Sequence, residues 1–319
     1  MSRIKTRQFS TAEIKQTRTG QLPHRFQQKA QFSAAFANGT VVAEYPVGEY
    51  TYRLSQLAII SDAEIVGKTI QLADGKHYVK TNAWADYVDE VELRLNGRIV
   101  RAYSIQHLVA LQEYWNFHGT GMTTDGFVSL PFGGPGFLDD EGVEDMLMLG
   151  TANVRSVEVH MRLTGAFDGS TMRFKSCEEY AKVRRPASVI QGVKTMRAVA
   201  SAAGQFSFND IPIHDPITAI YFKGNYIKGL HFEVGTETLI DATASEIAAY
   251  NGKFRFNNTK MQYGIFVNFW RDGDPQKALA PLTSDQDRKE NNKFSAHLDL
   301  SAATEVEVII EYLHKFDAS

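Results

Sequence analysis

His231, Glu233 and His297 are the side chains in this sequence whose types best suit a metal. In His231-Phe-Glu233 one residue separates the polar groups, which puts both on the same face of a strand. His297 could complete a two-histidine, one-carboxylate set, the pattern of open transition-metal sites. Ordinary strand residues on a solvent face or at an interface show the same spacing, and no His-x-His pair accompanies them. No metal ligand is therefore expected. Asp139-Asp-Glu-Gly-Val-Glu-Asp145 offers carboxylates to calcium but lacks EF-hand spacing, and reads as a solvated acidic loop. Gly133-Gly-Pro-Gly136 has no following Gly-Lys-Ser/Thr and is broken by proline, so it is not a phosphate loop. No Gly-x-Ser-x-Gly elbow presents a nucleophilic serine. The single cysteine, Cys177, rules out an intrachain disulfide and a Cys-rich zinc site, and reads as a small packed residue. No catalytic residue emerges, and the chain is not expected to be an enzyme.

The elements must therefore be read for another purpose. A chain of 319 residues fits two domains better than one sandwich. With 43% hydrophobic and 22% charged residues it can bury a sizeable core, and its 20 Phe and 13 Tyr favour strands. The net charge of −3 gives no sign of sequence-specific nucleic-acid binding, but the charge is unevenly spread. Residues 1–38 hold Arg3, Lys5, Arg7, Lys15, Arg18, Arg25 and Lys29 against Glu13 alone. Of the 34 basic and 37 acidic residues, 27 and 36 remain for the body, so an arm of +6 is joined to a body of −9. Such an arm is either a solvated terminus or a contact for an anionic surface, such as phospholipid headgroups, nucleic acid or an acidic neighbouring subunit. Ser10-Thr-Ala-Glu13 resembles a capping box for a short helix within it, and Phe9, Phe26, Phe32 and Phe36 could anchor it. Met1-Ser-Arg-Ile-Lys-Thr-Arg7 lacks the apolar core of a secretory leader, and no apolar run approaches the roughly 18–20 residues that cross a bilayer. A soluble protein made in a cytoplasm is expected.

From Thr40 onward the dominant period is two. Val91-Glu-Leu-Arg-Leu95, Val157-Glu-Val-His-Met-Arg-Leu163 and Thr304-Glu-Val-Glu-Val308 alternate as half-buried strands do. Asn96-Gly97 predicts a two-residue hairpin, because both turn positions need positive φ. Ser104 can cap a helix with Ile105, Leu108, Val109 and Trp115 on one face, and Thr243-Ala-Ser-Glu246 is a capping box for a helix carrying Ile247 and Tyr250. Each helix follows a hairpin centred on glycine (Asn96-Gly97, then Gly235-Thr236) and precedes a strand and a long loop. The order strand, turn, strand, helix, strand, long loop, strand, strand thus occurs twice, with 155–163 aligned on 304–312, and predicts a duplicated β-domain. The expected architecture is all-β: a basic arm at 1–39, an eight-stranded jelly-roll barrel at 40–181, a Pro-interrupted linker at 182–188 and a second eight-stranded jelly roll at 189–319, with a few short helices.

The run Val91-Glu-Leu-Arg-Leu-Asn-Gly-Arg-Ile-Val-Arg-Ala-Tyr103, with the Leu-rich helix after it, resembles the first barrel of corticovirus-type major capsid proteins. Met148-Leu-Gly-Thr151 with Val157–Leu163 is similar to the same family, as are Asp210-Ile-Pro212 through Ile220 and Glu307-Val-Ile-Ile-Glu-Tyr312 in the second half. The longer arm and loops suit a related group of tailless, lipid-containing icosahedral bacteriophages equally well. The resemblance implies a double jelly-roll coat protein, synthesised in a host cytoplasm and located in the virion. It implies homotrimers of pseudo-hexagonal outline that tile a shell over an internal membrane, beside minor capsid, penton and membrane proteins. It implies no cofactor beyond structural calcium, to which no residue can be assigned. The arm residues Arg3, Lys5, Arg7, Lys15, Arg18, Arg25 and Lys29 would then face the inner surface or the membrane. Two other readings remain: a lectin-like or receptor-binding β-sandwich that stacks sugars on Trp84, Trp115 and Trp270, and a metal-dependent jelly-roll enzyme built on His231, Glu233 and His297.

Overall fold

The structure, a computed structural model, describes residues 25–32, 39–114, 125–132, 148–211, 215–235, 237–252, 264–269 and 294–316. Contacts divide the chain into two compact units that meet in sequence at Gln191/Gly192, Lys315 and Phe316 returning to the first.

In the first unit, alternating sequence becomes paired strand. In order come β1 (Arg25–Phe32), β2 (Thr40–Tyr45), β3 (Thr51–Ser61), β4 (Thr69–Gln71) and β5 (His77–Val79). A 3-10 helix (Thr81–Asp86) leads to β6 (Val88–Leu95), β7 (Arg98–Ser104), α1 (Ile105–Tyr114), β8 (Val128–Pro131), β9 (Leu149–Gly150), β10 (Val157–Leu163) and β11 (Met172–Ala181). One sheet runs β2-β10-β6-β7; the other is built on β1-β11-β3, with β8, β9 and the β5-β4 ribbon along β3. All reported pairings are antiparallel. Strand β1, which closes onto β11, lies inside the stretch read from sequence as the basic arm.

Register puts the apolar residues on one face, as alternation requires. Val157 is opposite both Tyr45 and Leu95, Val159 opposite Ala43 and Leu93, and Met161 opposite Val41 and Val91, and all nine are buried. Tyr45 crosses to the other sheet, its hydroxyl 3.0 Å from Ser55 Oγ and its ring edge-on to Tyr52 and Phe132. The β6–β7 hairpin turns through Asn96 (φ 52°) and Gly97 (φ 76°), both left-handed as the Asn-Gly pair predicts. Asn96 Oδ1 also accepts the Arg155 N–H at 2.7 Å, which ties the turn to the approach of β10. Helix α1 is capped by Ser104 Oγ, which accepts the His107 N–H. It buries Ile105, Leu108 and Leu111, while Val109 is only half-buried, so the apolar face is rotated toward Leu111 from the one expected.

The second unit repeats this plan: β12 (Val189–Ala200), β13 (Gly204–Ile211), β14 (Ile217–Lys223), β15 (Ile227–Val234), β16 (Glu237–Thr243), α2 (Ala244–Gly252), β17 (Gly264–Asn268), β18 (Phe294–Leu300) and β19 (Thr304–Lys315). Its sheets run β12-β19-β14-β17 and β13-β18-β15-β16. Phe222 and Ile220 of β14, Val308 and Ile310 of β19, and Val267 of β17 share a core with Leu230 and Phe232 of β15, Leu298 of β18 and Ile247 of α2. The capping box forms as its sequence predicts: Thr243 N–H donates to Glu246 Oε2 at 2.8 Å, and Glu246 N–H donates to Thr243 Oγ1 at 3.2 Å.

Strand for strand, β1-β11-β3-β8 matches β12-β19-β14-β17, and β2-β10-β6-β7 matches β13-β18-β15-β16. Each unit is thus an eight-stranded jelly roll, and the expected duplication is real. The expected alignment of 155–163 on 304–312 was one strand out: β10 corresponds to β18, and the counterpart of β19 is β11. The reason lies in burial. β19 is buried from Val306 to Ile310 without a break, and β11 reads Met-Arg-Phe-Lys-Ser-Cys-Glu-Glu-Tyr-Ala. The alternation of Thr304–Val308 is written in the sequence but not in the burial of β19, and β11 loses its own alternation from Ser176 onward.

Candidate functional site

The equivalent sheets β2-β10-β6-β7 and β13-β18-β15-β16 turn their polar residues outward, and each gathers four of them at the same place. In the first barrel these are Glu92 and Arg94 on β6, and Glu158 and His160 on β10, with His160 directly opposite Glu92 and Glu158 opposite Arg94. Arg94 donates to Glu92 Oε2 from Nη2 (2.6 Å) and Nε (2.8 Å), and His160 Nε2 lies 2.8 Å from Glu158 Oε2. That bond to His160, against some desolvation, holds the Glu158 carboxyl below the usual glutamate range. In the second barrel the four are His231 and Glu233 on β15, and Ser295 and His297 on β18, with the two histidines opposite one another.

The residues considered for a metal are thus brought together. His231 Nε2 lies 2.8 Å from Glu233 Oε1, His297 Nε2 lies 3.7 Å from Glu233 Oε2, and the rings are 5.8 Å apart. The carboxylate sits between the imidazoles as a hydrogen-bond acceptor, and among the described residues no three His, Cys, Asp or Glu side chains form a group placed to hold a metal. Trp84 does not support sugar stacking: it is fully buried in the 3-10 helix, edge-on to Phe174. An indole without an exposed face cannot offer a stacking platform. Trp115 and Trp270 lie outside the described residues, as do both loops (133–145 and 271–292) and, in the arm, Arg3, Lys5, Arg7, Ser10–Glu13, Lys15, Arg18, Phe9 and Phe36. Arg25, Phe26, Lys29 and Phe32 are on β1, where Arg25 pairs in register with Tyr180 and Lys29 with Ser176. Cys177 is buried, and burial pushes its thiol upward, away from reactivity. Among the described residues no helix is long and apolar enough to cross a membrane.

Sequence reading missed a buried polar clamp. Arg101 is 2% exposed, and its guanidinium donates to three backbone carbonyls: Gln191 O (2.7 Å), Phe132 O (3.0 Å) and Pro131 O. The connector that precedes Gln191 is also bound along its length. Thr51 Oγ1 donates to Val183 O, Ala152 N–H to Arg185 O, and the Asn153 side chain bonds both N–H and carbonyl of Ala187. Gly150 permits this approach, since a Cβ there would stand 2.4 Å from Arg185 O. One signal was readable: Arg101 stands in a strand two residues from the core residue Tyr103, a position that alternation assigns to the interior.

Residues 190–316, nearly the whole second barrel, match the family model described as viral coat protein P2 C-terminal domain. No curated protein matches the chain in sequence. Among solved structures, the major capsid protein P2 from bacteriophage PM2 is 16% identical with a TM-score of 0.70, over 92% of this chain and 98% of that one. The MCP of STIV, the Sulfolobus Turreted Icosahedral Virus, is 11% identical with a TM-score of 0.62, over 92% and 97%. The Faustovirus major capsid protein is 8% identical with a TM-score of 0.58, over 100% and 93%. At such identities the shared property is the fold, and that fold is the double jelly roll.

Proposed function

We propose that this chain is a viral major capsid protein, a structural subunit that assembles with copies of itself into an icosahedral shell and performs no catalysis. One observation carries the reading: the same eight-strand plan occurs twice in one chain, and the second copy matches a viral coat domain along nearly its whole length. The duplication supports a homotrimer, because three chains with two equivalent barrels each present six similar outer edges, which lets one subunit type meet many neighbours. In this reading the shell covers an internal membrane. Arg3, Lys5, Arg7, Lys15 and Arg18, with Arg25 and Lys29 at the first strand, approach phospholipid headgroups, and minor capsid, penton and membrane proteins occupy the remaining lattice positions. Mass measurement of the purified protein is expected to give trimers, and electron microscopy at high concentration sheets or shells. A species that stays monomeric under all conditions would overturn the proposal.

The role of the arm has its own test. Removing residues 1–20, which spares β1, is expected to leave the protein trimeric and to weaken co-sedimentation with phosphatidylglycerol vesicles. Each basic residue near an anionic surface is worth about 1 kcal/mol, and five of the seven (Arg3, Lys5, Arg7, Lys15 and Arg18) fall in the deleted segment. Vesicle binding that is unchanged by the deletion, or by salt, would refute it.

A further inference from the structure

The two barrels have diverged at one equivalent pair of positions, and the difference is one of protonation. Positions 92 and 94 of β6 correspond to 231 and 233 of β15, each pair closing the strand before its hairpin turn. In the first barrel the pair is a carboxylate and a guanidinium, Glu92 and Arg94. In the second barrel the partner of the carboxylate is a histidine.

His231 has a carboxylate oxygen at each ring nitrogen: Glu233 Oε1 at 2.8 Å from Nε2, and Asp241 Oδ1 at 3.6 Å from Nδ1. A neutral imidazole has one N–H and would turn a lone pair toward the second carboxylate; only the imidazolium serves both. Asp241 lies on β16, the edge strand of its sheet, directly opposite His231. His297 is placed differently. Its Nδ1 is 2.7 Å from the Ser207 hydroxyl and its Nε2 lies 3.7 Å from Glu233 Oε2, so only one of its two nitrogens faces a carboxylate. Among the described residues, the other charged groups near the cluster are Asp299 on β18, two residues from His297, Lys228 near the start of β15, and Glu237 at the start of β16. From β13 the residues opposite β18 at these positions are the uncharged Gln205 and Ser207.

We propose that His231 is a proton-operated clasp holding the edge strand β16 to β15: protonated, it joins Glu233 to Asp241, and deprotonated it lets go of Asp241, a response that the Glu92–Arg94 pair of the first barrel cannot make. The electrostatics run the same way. Hydrogen bonding to Glu233, opposed by some desolvation and reinforced by Asp241, raises His231 above its ordinary value of 6.5, while Glu233 is held below 4.5. A raised histidine contributes its full stabilisation below its unfolded value and loses it as pH climbs through the folded one. The clasp is closed below the ordinary histidine value and opens as the pH climbs through the raised one.

Hydrogen exchange of the β16 amides in the full-length protein, corrected for intrinsic rates, tests this at about pH 6 and about pH 8.5. Protection of β16 is expected to fall about two- to fivefold at the higher pH, the range of a partly exposed ion pair. Protection of β7, the equivalent edge strand, should stay level in the same sample. The double variant H231E/E233R, which installs the pair of the first barrel, should make β16 level as well. Asp241→Asn, a change at an exposed side chain, should lower the midpoint of the His231 ring-proton titration in NMR spectra. Equal changes in β16 and β7, a pH response that survives in the double variant, or an unmoved midpoint in D241N would each overturn the proposal.

Discussion

Single residues decide this molecule where polar groups are buried. Arg101 is the clearest case, because its guanidinium satisfies the carbonyls of Pro131 on β8, of Phe132 after it and of Gln191 at once. Arg101→Met keeps much of the volume and leaves those acceptors without their donor, at about 1–3 kcal/mol for each buried group. The denaturant midpoint of the first barrel is expected to fall accordingly, and an unchanged midpoint would show that the clamp contributes nothing. Arg101→Lys should recover little, since one ammonium cannot reproduce a planar fork. Cys177 behaves in the opposite sense. Buried and raised in pKa, it should resist a thiol reagent in the native protein and react once per chain in denaturant. The phenols of Tyr45 and Tyr52 are likewise pushed upward, chiefly by burial and further by the Glu178 carboxylate, so both are neutral at neutral pH.

At the scale of elements, the signals that depend on a few adjacent residues were legible. Asn96-Gly97 and the Thr243–Glu246 capping box formed as their chemistry requires, because a turn or a cap is closed by neighbours in sequence. Thr243→Ala should cost about 1 kcal/mol and fray α2, measurable as lost amide protection at Glu246 and Ile247. The connector was less legible. Its Arg-Arg-Pro composition suggested a spacer, yet its carbonyls and amides are paired with β3 and with the segment after β9. Gly150→Ala would drive a methyl into Arg185 O and Pro186 O. The variant is expected to expose the Arg184–Arg185 bonds to trypsin, whereas a connector as resistant as wild type would show that the strap tolerates the change. No local pattern announces such a strap, since its partners lie roughly 30 to 130 residues away in sequence.

At the scale of the whole molecule, period-two alternation, two similarly placed helices and the turn residues were enough to specify an all-β chain with an internal duplication. Those properties belong to the sequence, because a half-buried strand writes its burial into every second residue. The charge asymmetry between arm and body also stands in the sequence alone, and the proposed roles in shell and membrane contact inherit it. Which strand matches which was decided only in three dimensions. β11 and β19 are the long strands at the centre of their sheets; much of β19 is buried on both faces and β11 mixes charge with core, so neither carries the one-faced code. Tertiary structure likewise decided that Trp84 is core, that Arg101 is a clamp, and that His231, Glu233 and His297 meet around a carboxylate. Spacing had proposed that last meeting, but only register, which sets His231 opposite both His297 and Asp241, determined what the three residues do. A side chain's type is written in the chain, whereas its partners are set by the pairing of strands distant in sequence.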